Sequence, residues 1–448
     1  MTAPNHRRAP TLLARPSTRF PQRATGAVAL LLALVLAVAA TACSSSEAET
    51  SSAPRQDLEE AGAPIWDGQG DFYAPPDPLP TGRPGDLIRV EPVDDSGRDD
   101  VDTFRVMYHT QSKGGSDIAA TGLVFVPRSA VPDGGWPIVA SLHGTDGMIS
   151  TCAPSRDSSR VPLSRPEPNY VVATPDYTGL GPTGQVHPYI SGIPEGRSTI
   201  DLVRAVHRLA TVPVRDEWVA YGLSQGGHAA IFTAEIAPTY APELDLRGVI
   251  ALAPVGDLTD LHPYIDSPQR GLVPMFLFGL AQDNPDLDPA EFLTDEALAR
   301  SEVLRTGCTD EIASAYRGDF ESADLFDVDP SQDPDVRVIL EANSPGRVRT
   351  PVPVLILHGI EDPIVPTSQS IGIFERQCAL GVTVQLSEYQ GSNHTMVMLD
   401  ADDEITTWIA ERFEGDPAPT NCPGAVAPEG GTIPTGAIGT PGTTRPEP

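Results

Sequence analysis

Short apolar runs alternate along this chain with stretches whose apolar positions recur at helical spacing. Residues 137–143, 170–175, 218–223, 249–254, 352–358 and 382–389 are mostly apolar and end near turn residues. Such runs suit strands covered on both faces. Helical patterns lie between them at 198–209, 225–236 and 368–378, and another follows at 402–413. In the first, Ile200, Leu202, Val203, Val206, His207 and Leu209 fall on one side. The alternation predicts an α/β fold with a mostly parallel, doubly wound sheet. Chemistry in such sheets sits at the carboxyl ends of the strands. Residues 104–109 and 121–127 read as an antiparallel pair opening the sheet. From about 257 to 348 no strand pattern appears. The apolar run 272–280 and helical stretches near 289–305 and 310–317 predict a helical cap, inserted after the strand that follows the 225–236 helix.

The two ends have a different composition. The first 42 residues hold five arginines and no acid, with an apolar run at 27–40. That run has the length of a signal-peptide core and is short for a membrane span. Ala40-Thr41-Ala42-Cys43 follows, then three serines. Small residues before a cysteine predict cleavage ahead of Cys43 and its lipidation, which would tether the protein to a membrane. Plain secretion without lipid is the alternative. The expected organisation is a signal peptide at 1–42, a lipid-anchor tether at 43–65, a folded body at 66–422 containing the cap, and a disordered tail at 423–448 rich in Pro, Gly and Thr. Cys152, Cys308, Cys378 and Cys422 make an even set in an exported chain and predict two disulfides, with three pairings open. None of their spacings suits zinc.

The net charge of −31, from 61 acidic and 30 basic residues, argues against nucleic-acid binding, which needs a basic patch. It also argues against charge-driven docking on anionic lipid.

Gly222-Leu223-Ser224-Gln225-Gly226 lies between the run 218–223 and the helix from 225. This is the strand–turn–helix setting of a nucleophile elbow in an α/β-hydrolase. A serine hydroxyl needs a base, and the base needs an orienting carboxylate. The chain order in that fold is serine, acid, histidine. Of nine histidines, only His394 follows the later core strands, in Gly391-Ser392-Asn393-His394. The acid should end the preceding strand, where Glu361 and Asp362 are adjacent; Asp362, followed by Pro363-Ile364-Val365-Pro366, fits the loop better. The expected oxyanion donors are the amide of Gln225 and one from His143-Gly144-Thr145-Asp146, either Thr145 or Asp146. No cofactor or metal is required. His358 and His228 read as packed or surface histidines, and Asp176-Tyr177 as a structural loop. The acidic stretch 327–335 is acidic enough for calcium but lacks the glycine and closing glutamate of an EF-hand loop, so it reads as a solvated loop.

Together with Asp71-Phe72-Tyr73, Cys152-Ala153-Pro154-Ser155, Asp176-Tyr177-Thr178-Gly179-Leu180-Gly181 and His187-Pro188-Tyr189, these motifs resemble the secretory lipase family of lipase A-type enzymes over about 71–422. The resemblance implies a cap over the acyl site, hydrolysis of acylglycerols or simpler esters, and pairings Cys152–Cys308 and Cys378–Cys422. Gln225 after the serine and the apparent lipid anchor depart from it. Readings left open are a short-chain esterase or acyltransferase on the same scaffold, and a surface lipoprotein that binds lipid or a partner without catalysis. The oligomeric state is not legible.

Overall fold

The computed structural model describes residues 58–424, apart from 61, 94–99, 159–168 and 210. The expected signal peptide, Cys43 and residues 425–448 of the tail lie outside the described residues. One nine-stranded sheet organises the rest: β1 (Leu87–Val93), β2 (Val101–Gln111), β3 (Asp117–Pro127), β4 (Trp136–Leu142), β5 (Val171–Pro175), β6 (Val214–Leu223), β7 (Asp245–Leu252), β8 (Val354–Gly359) and β9 (Val384–Tyr389). Their order is β1-β2-β3-β5-β4-β6-β7-β8-β9. The pairs β1–β2, β2–β3 and β3–β5 are antiparallel. From β5 to β9 every pair is parallel.

Helices cover both faces, which explains the unbroken apolar runs. Alternate strand residues point to opposite sides. Ile138, Ala140, Trp218, Ala220, Val249, Ala251 and Ile356 pack in one cluster with α1 (Gly192–Arg208) and α2 (Gln225–Tyr240). Val139, Val219, Tyr221, Ile250, Leu252 and Leu357 pack with Ile405, Trp408 and Ile409 of a helix at Asp402–Glu414. Between β7 and β8 the chain forms α3 (Leu272–Asp283), α4 (Asp295–Arg300), α5 (Thr309–Ala315) and α6 (Pro334–Ala342). These close on their own apolar cluster. The 272–280 run is its centre: Val273, Met275, Phe276, Leu277 and Leu280 are fully buried in it. After β8 come α7 (Thr367–Ala379) and α8 (Asp402–Glu414). Among the described residues no helix is long and apolar enough to cross a membrane.

Three details differ from expectation. The body starts earlier than residue 66, because Leu58 is buried in the main core and Ile65 bridges to Val90. A single buried leucine is invisible in a Ser-, Ala- and Glu-rich average. The sheet has an additional edge strand, β1, whose residues are mostly half-buried. The acidic stretch 327–335 spends its carboxylates on caps: Asp329 accepts from Ser331 N, and Asp333 from Asp335 N and Val336 N, starting α6. Among the described residues no cluster of three His, Cys, Asp or Glu side chains could hold a metal ion.

Candidate active site

Ser224 follows β6 and caps α2 with φ 60° and ψ −115°. A non-glycine residue rarely takes a positive φ, and such strain marks functional turns. The flanking glycines permit it. A Cβ on Gly226 would lie 2.1 Å from the Leu142 carbonyl oxygen, and one on Gly222 would lie 2.6 Å from the Gly226 carbonyl carbon. The Ser224 amide donates to Leu252 O at 2.8 Å, so β7 holds the elbow.

The parallel strands carry Ser224, Asp362 and His394 to one rim, beyond β6, β8 and β9. His394 Nδ1 lies 2.5 Å from Asp362 Oδ2. Nδ1 therefore donates, leaving Nε2 as the basic nitrogen. Asp362 Oδ1 accepts from the amides of Ile364 and Val365 at 2.8 and 3.0 Å. Burial alone would raise the Asp362 carboxyl, but bonds from His358 and His394 outweigh it and hold the group well below the usual carboxylate range. Glu361 is exposed, whereas the Asp362 side chain is fully buried. Asn393 Oδ1 accepts from the Thr395 and Met396 amides, shaping the turn that presents His394. The structure thus joins two of the three candidate residues directly. No hydrogen bond links the Ser224 hydroxyl to His394 among the described residues; such bonds are often long before substrate arrives.

The Gln225 amide is the first of α2 and has no intrahelical acceptor. The helix dipole favours negative charge there. Across from it, the Gly144 Cα faces the elbow: a Cβ there would meet Leu223 O at 3.5 Å and Ser224 Cβ at 4.0 Å. The 143–146 loop is braced on every side. His143 Nδ1 meets Asp146 Oδ2 at 2.8 Å. Burial alone would lower His143, but that partner overrides it and raises the imidazole. Tyr177, at φ 62°, donates its hydroxyl to His143 O at 3.0 Å. Thr145 Oγ1 bonds the Tyr189 hydroxyl at 2.6 Å. From the cap, Thr309 Oγ1 donates to Thr145 O at 2.7 Å and Thr309 N to Asp146 O at 3.0 Å. The backbone carbonyls of Thr145 and Asp146 are therefore occupied, while their amides have no acceptor among the described residues.

Both implied disulfides form. Cys152–Cys308 ties this loop region to the N-terminus of α5, and Cys378–Cys422 ties α7 to the segment after α8.

The sequence profile of the secretory lipase family matches residues 163–421, over half of the chain. The chain belongs to that family. Among its relatives, Lipase A of Arthroderma benhamiae is 25% identical over 405 residues, covering 80% of this chain and 82% of that protein. Lipase 6 of Candida albicans is 26% identical over 398 residues, covering 79% and 83%. The fold matches Candida antarctica lipase A with a TM-score of 0.67 at 21% identity, covering 78% of this chain and 87% of that one. As a secretory lipase family member, the chain is a carboxylic ester hydrolase.

Several polar residues near the elbow went unread in sequence. Gln225 Nε2 donates to Glu195 Oε1 at 2.8 Å and meets His187 Nε2 at 2.7 Å. His228 bridges Glu195 Oε2 at 2.7 Å and Asn343 O at 2.9 Å, so it is neither surface nor merely packed. Its partners are 33 and 115 residues away, and no local pattern could signal them. Asp176 is fully buried and accepts from Thr121 Oγ1, Ser155 Oγ and Ser155 N, as a structural loop residue would.

Proposed function

We propose that Ser224, His394 and Asp362 form the catalytic triad, that hydrolysis runs through an acyl-enzyme, and that the substrates are acylglycerols. The observation that carries this reading is the His394–Asp362 bond at the rim where the strained Ser224 elbow emerges. His394 Nε2 takes the Ser224 proton as Oγ bonds the ester carbonyl carbon. The oxyanion draws on the Gln225 amide and one amide of Thr145 or Asp146. The tetrahedral adduct collapses, the carbon–oxygen bond of the ester breaks, and His394 passes its proton to the departing alcohol. Water then attacks the acyl carbon by the same route and frees the acid. Asp362 fixes the tautomer of His394 and stays ionised.

Acylglycerols are favoured by the family and by relatives named lipases, and a cavity of about 300 Å³ beside the elbow, lined by Leu142, His143, Gly144, Thr145, Asp146 and Leu223 among others, gives room for an acyl group. That volume lies in the usual range for ligand pockets, about 300–1,000 Å³.

A fluorophosphonate probe tests the nucleophile, and nitrophenyl esters of rising chain length beside emulsified triglyceride test the substrate. Wild type should label and Ser224→Ala should not, with hydrolysis down at least about 10³-fold. Equal labelling of both proteins would end the triad reading. Activity confined to acetyl and butyryl esters would end the acylglycerol reading. Two disulfides suit an oxidising compartment, which supports export. Mass spectrometry of the envelope fraction should find a diacylglyceryl group on Cys43; an unlipidated mature chain confined to the medium would point to plain secretion.

A further inference from the structure

We propose that His358 is a positioning residue for the ester-hydrolysis machinery: from the end of β8 it fixes both the carboxylate of Asp362 and the turn that carries it. The inference rests on the triad reading above. His358 is fully buried, and both ring nitrogens are engaged. Nε2 lies 2.8 Å from Val365 O and 3.3 Å from Asp362 Oδ2. Facing two acceptors, it carries the proton. Nδ1 lies 2.6 Å from Ser370 Oγ on α7, which donates to it and so holds that tautomer.

The ring thus spans the base of the 362–365 turn. One end of the turn is bonded through Val365 O. The same residue returns its amide to Asp362 Oδ1. A histidine present only for its bulk would have no need to place one N–H between the acid and the carbonyl that closes its loop. Asp362 Oδ2 is therefore shared by two imidazoles, His394 at 2.5 Å and His358 at 3.3 Å.

Sharing has a chemical consequence. A donor from His358 spreads the carboxylate charge. Without it, more of that charge falls on His394, its imidazolium is stabilised, and the free base appears only at higher pH. Among the described residues, the titratable group from the cap that interacts with Asp362 is Tyr264, which burial keeps neutral.

The test is the pH profile of kcat/KM on a soluble ester for His358→Phe, His358→Gln and Ser370→Ala, with Asp362→Asn as control and thermal melting to report folding. His358→Phe should lose about 10- to 100-fold, as loss of an orienting partner behind a first-line group does, and its acid limb should move up by about half a pH unit or more. His358→Gln, which restores an N–H donor, should recover most of both. Ser370→Ala frees the tautomer and should move the limb the same way by less. An acid limb that stays put in His358→Phe, or a glutamine variant no better than phenylalanine, overturns the proposal. Should His358→Phe not fold, an unmoved limb in Ser370→Ala overturns it instead. Wild-type activity in Asp362→Asn would mark failure of the triad reading, not of His358.

Discussion

Glu361 and Asp362 differ by one position, yet only one of their carboxylates reaches an imidazole. Asp362 receives two backbone amides and His394, while Glu361 faces solvent. Asp362→Asn should therefore lower kcat by about 10⁴-fold, since the amide cannot hold the productive tautomer. Glu361→Gln should stay within about twofold of wild type. Steady-state kinetics on one soluble ester compares them, and a larger loss at Glu361 would reverse the assignment. The candidate triad was legible because chain order and turn chemistry are local. Glu195, His228 and His358 were not, because a polar side chain reads the same in sequence whether it is exposed, packed or bonded. What separates these is a partner from another element.

At the scale of elements, the segment between β5 and α1 holds the 143–146 loop and the N-terminus of α2 together. Tyr189 bonds Thr145, and His187 meets Gln225 while its Nδ1 donates to Thr178 O at 2.7 Å. Burial lowers His187 from 6.5 to about 4. Between those values the unfolded chain binds a proton that the folded chain refuses, so stability is lost as pH falls across that window. The cost should approach about 3 kcal/mol. Urea unfolding at pH 7 and pH 4.5 should show a drop that His187→Gln largely removes; an identical drop in the variant would place its origin elsewhere. Strands β4 to β8 were readable as apolar runs because both faces are covered over most of their length. Strand β1 hid because only Val90 is buried in it. Helix α6 hid because its capping aspartates resemble ligands for a cation.

At the largest scale, the described residues form a sheet with a cap fastened at several points. Glu235 on α2 accepts from the amides of Gly346, Arg347 and Val348, and His228 Nε2 donates to the Asn343 carbonyl, so the returning chain is bonded to α2. At the front, Thr309 and the Cys152–Cys308 bridge bind α5 to the segment 145–152. That bridge spans 156 residues. Replacing both cysteines by serine should cost up to about 5 kcal/mol on chain entropy. A urea midpoint equal to that of wild type would show the reduced chain to be already constrained.

The same cross-link decides what a protease would leave behind. A cut at any exposed point between 153 and 307 yields two pieces still covalently joined. Clipped enzyme should run as a single species on a gel until a thiol is added, and only then separate into its fragments.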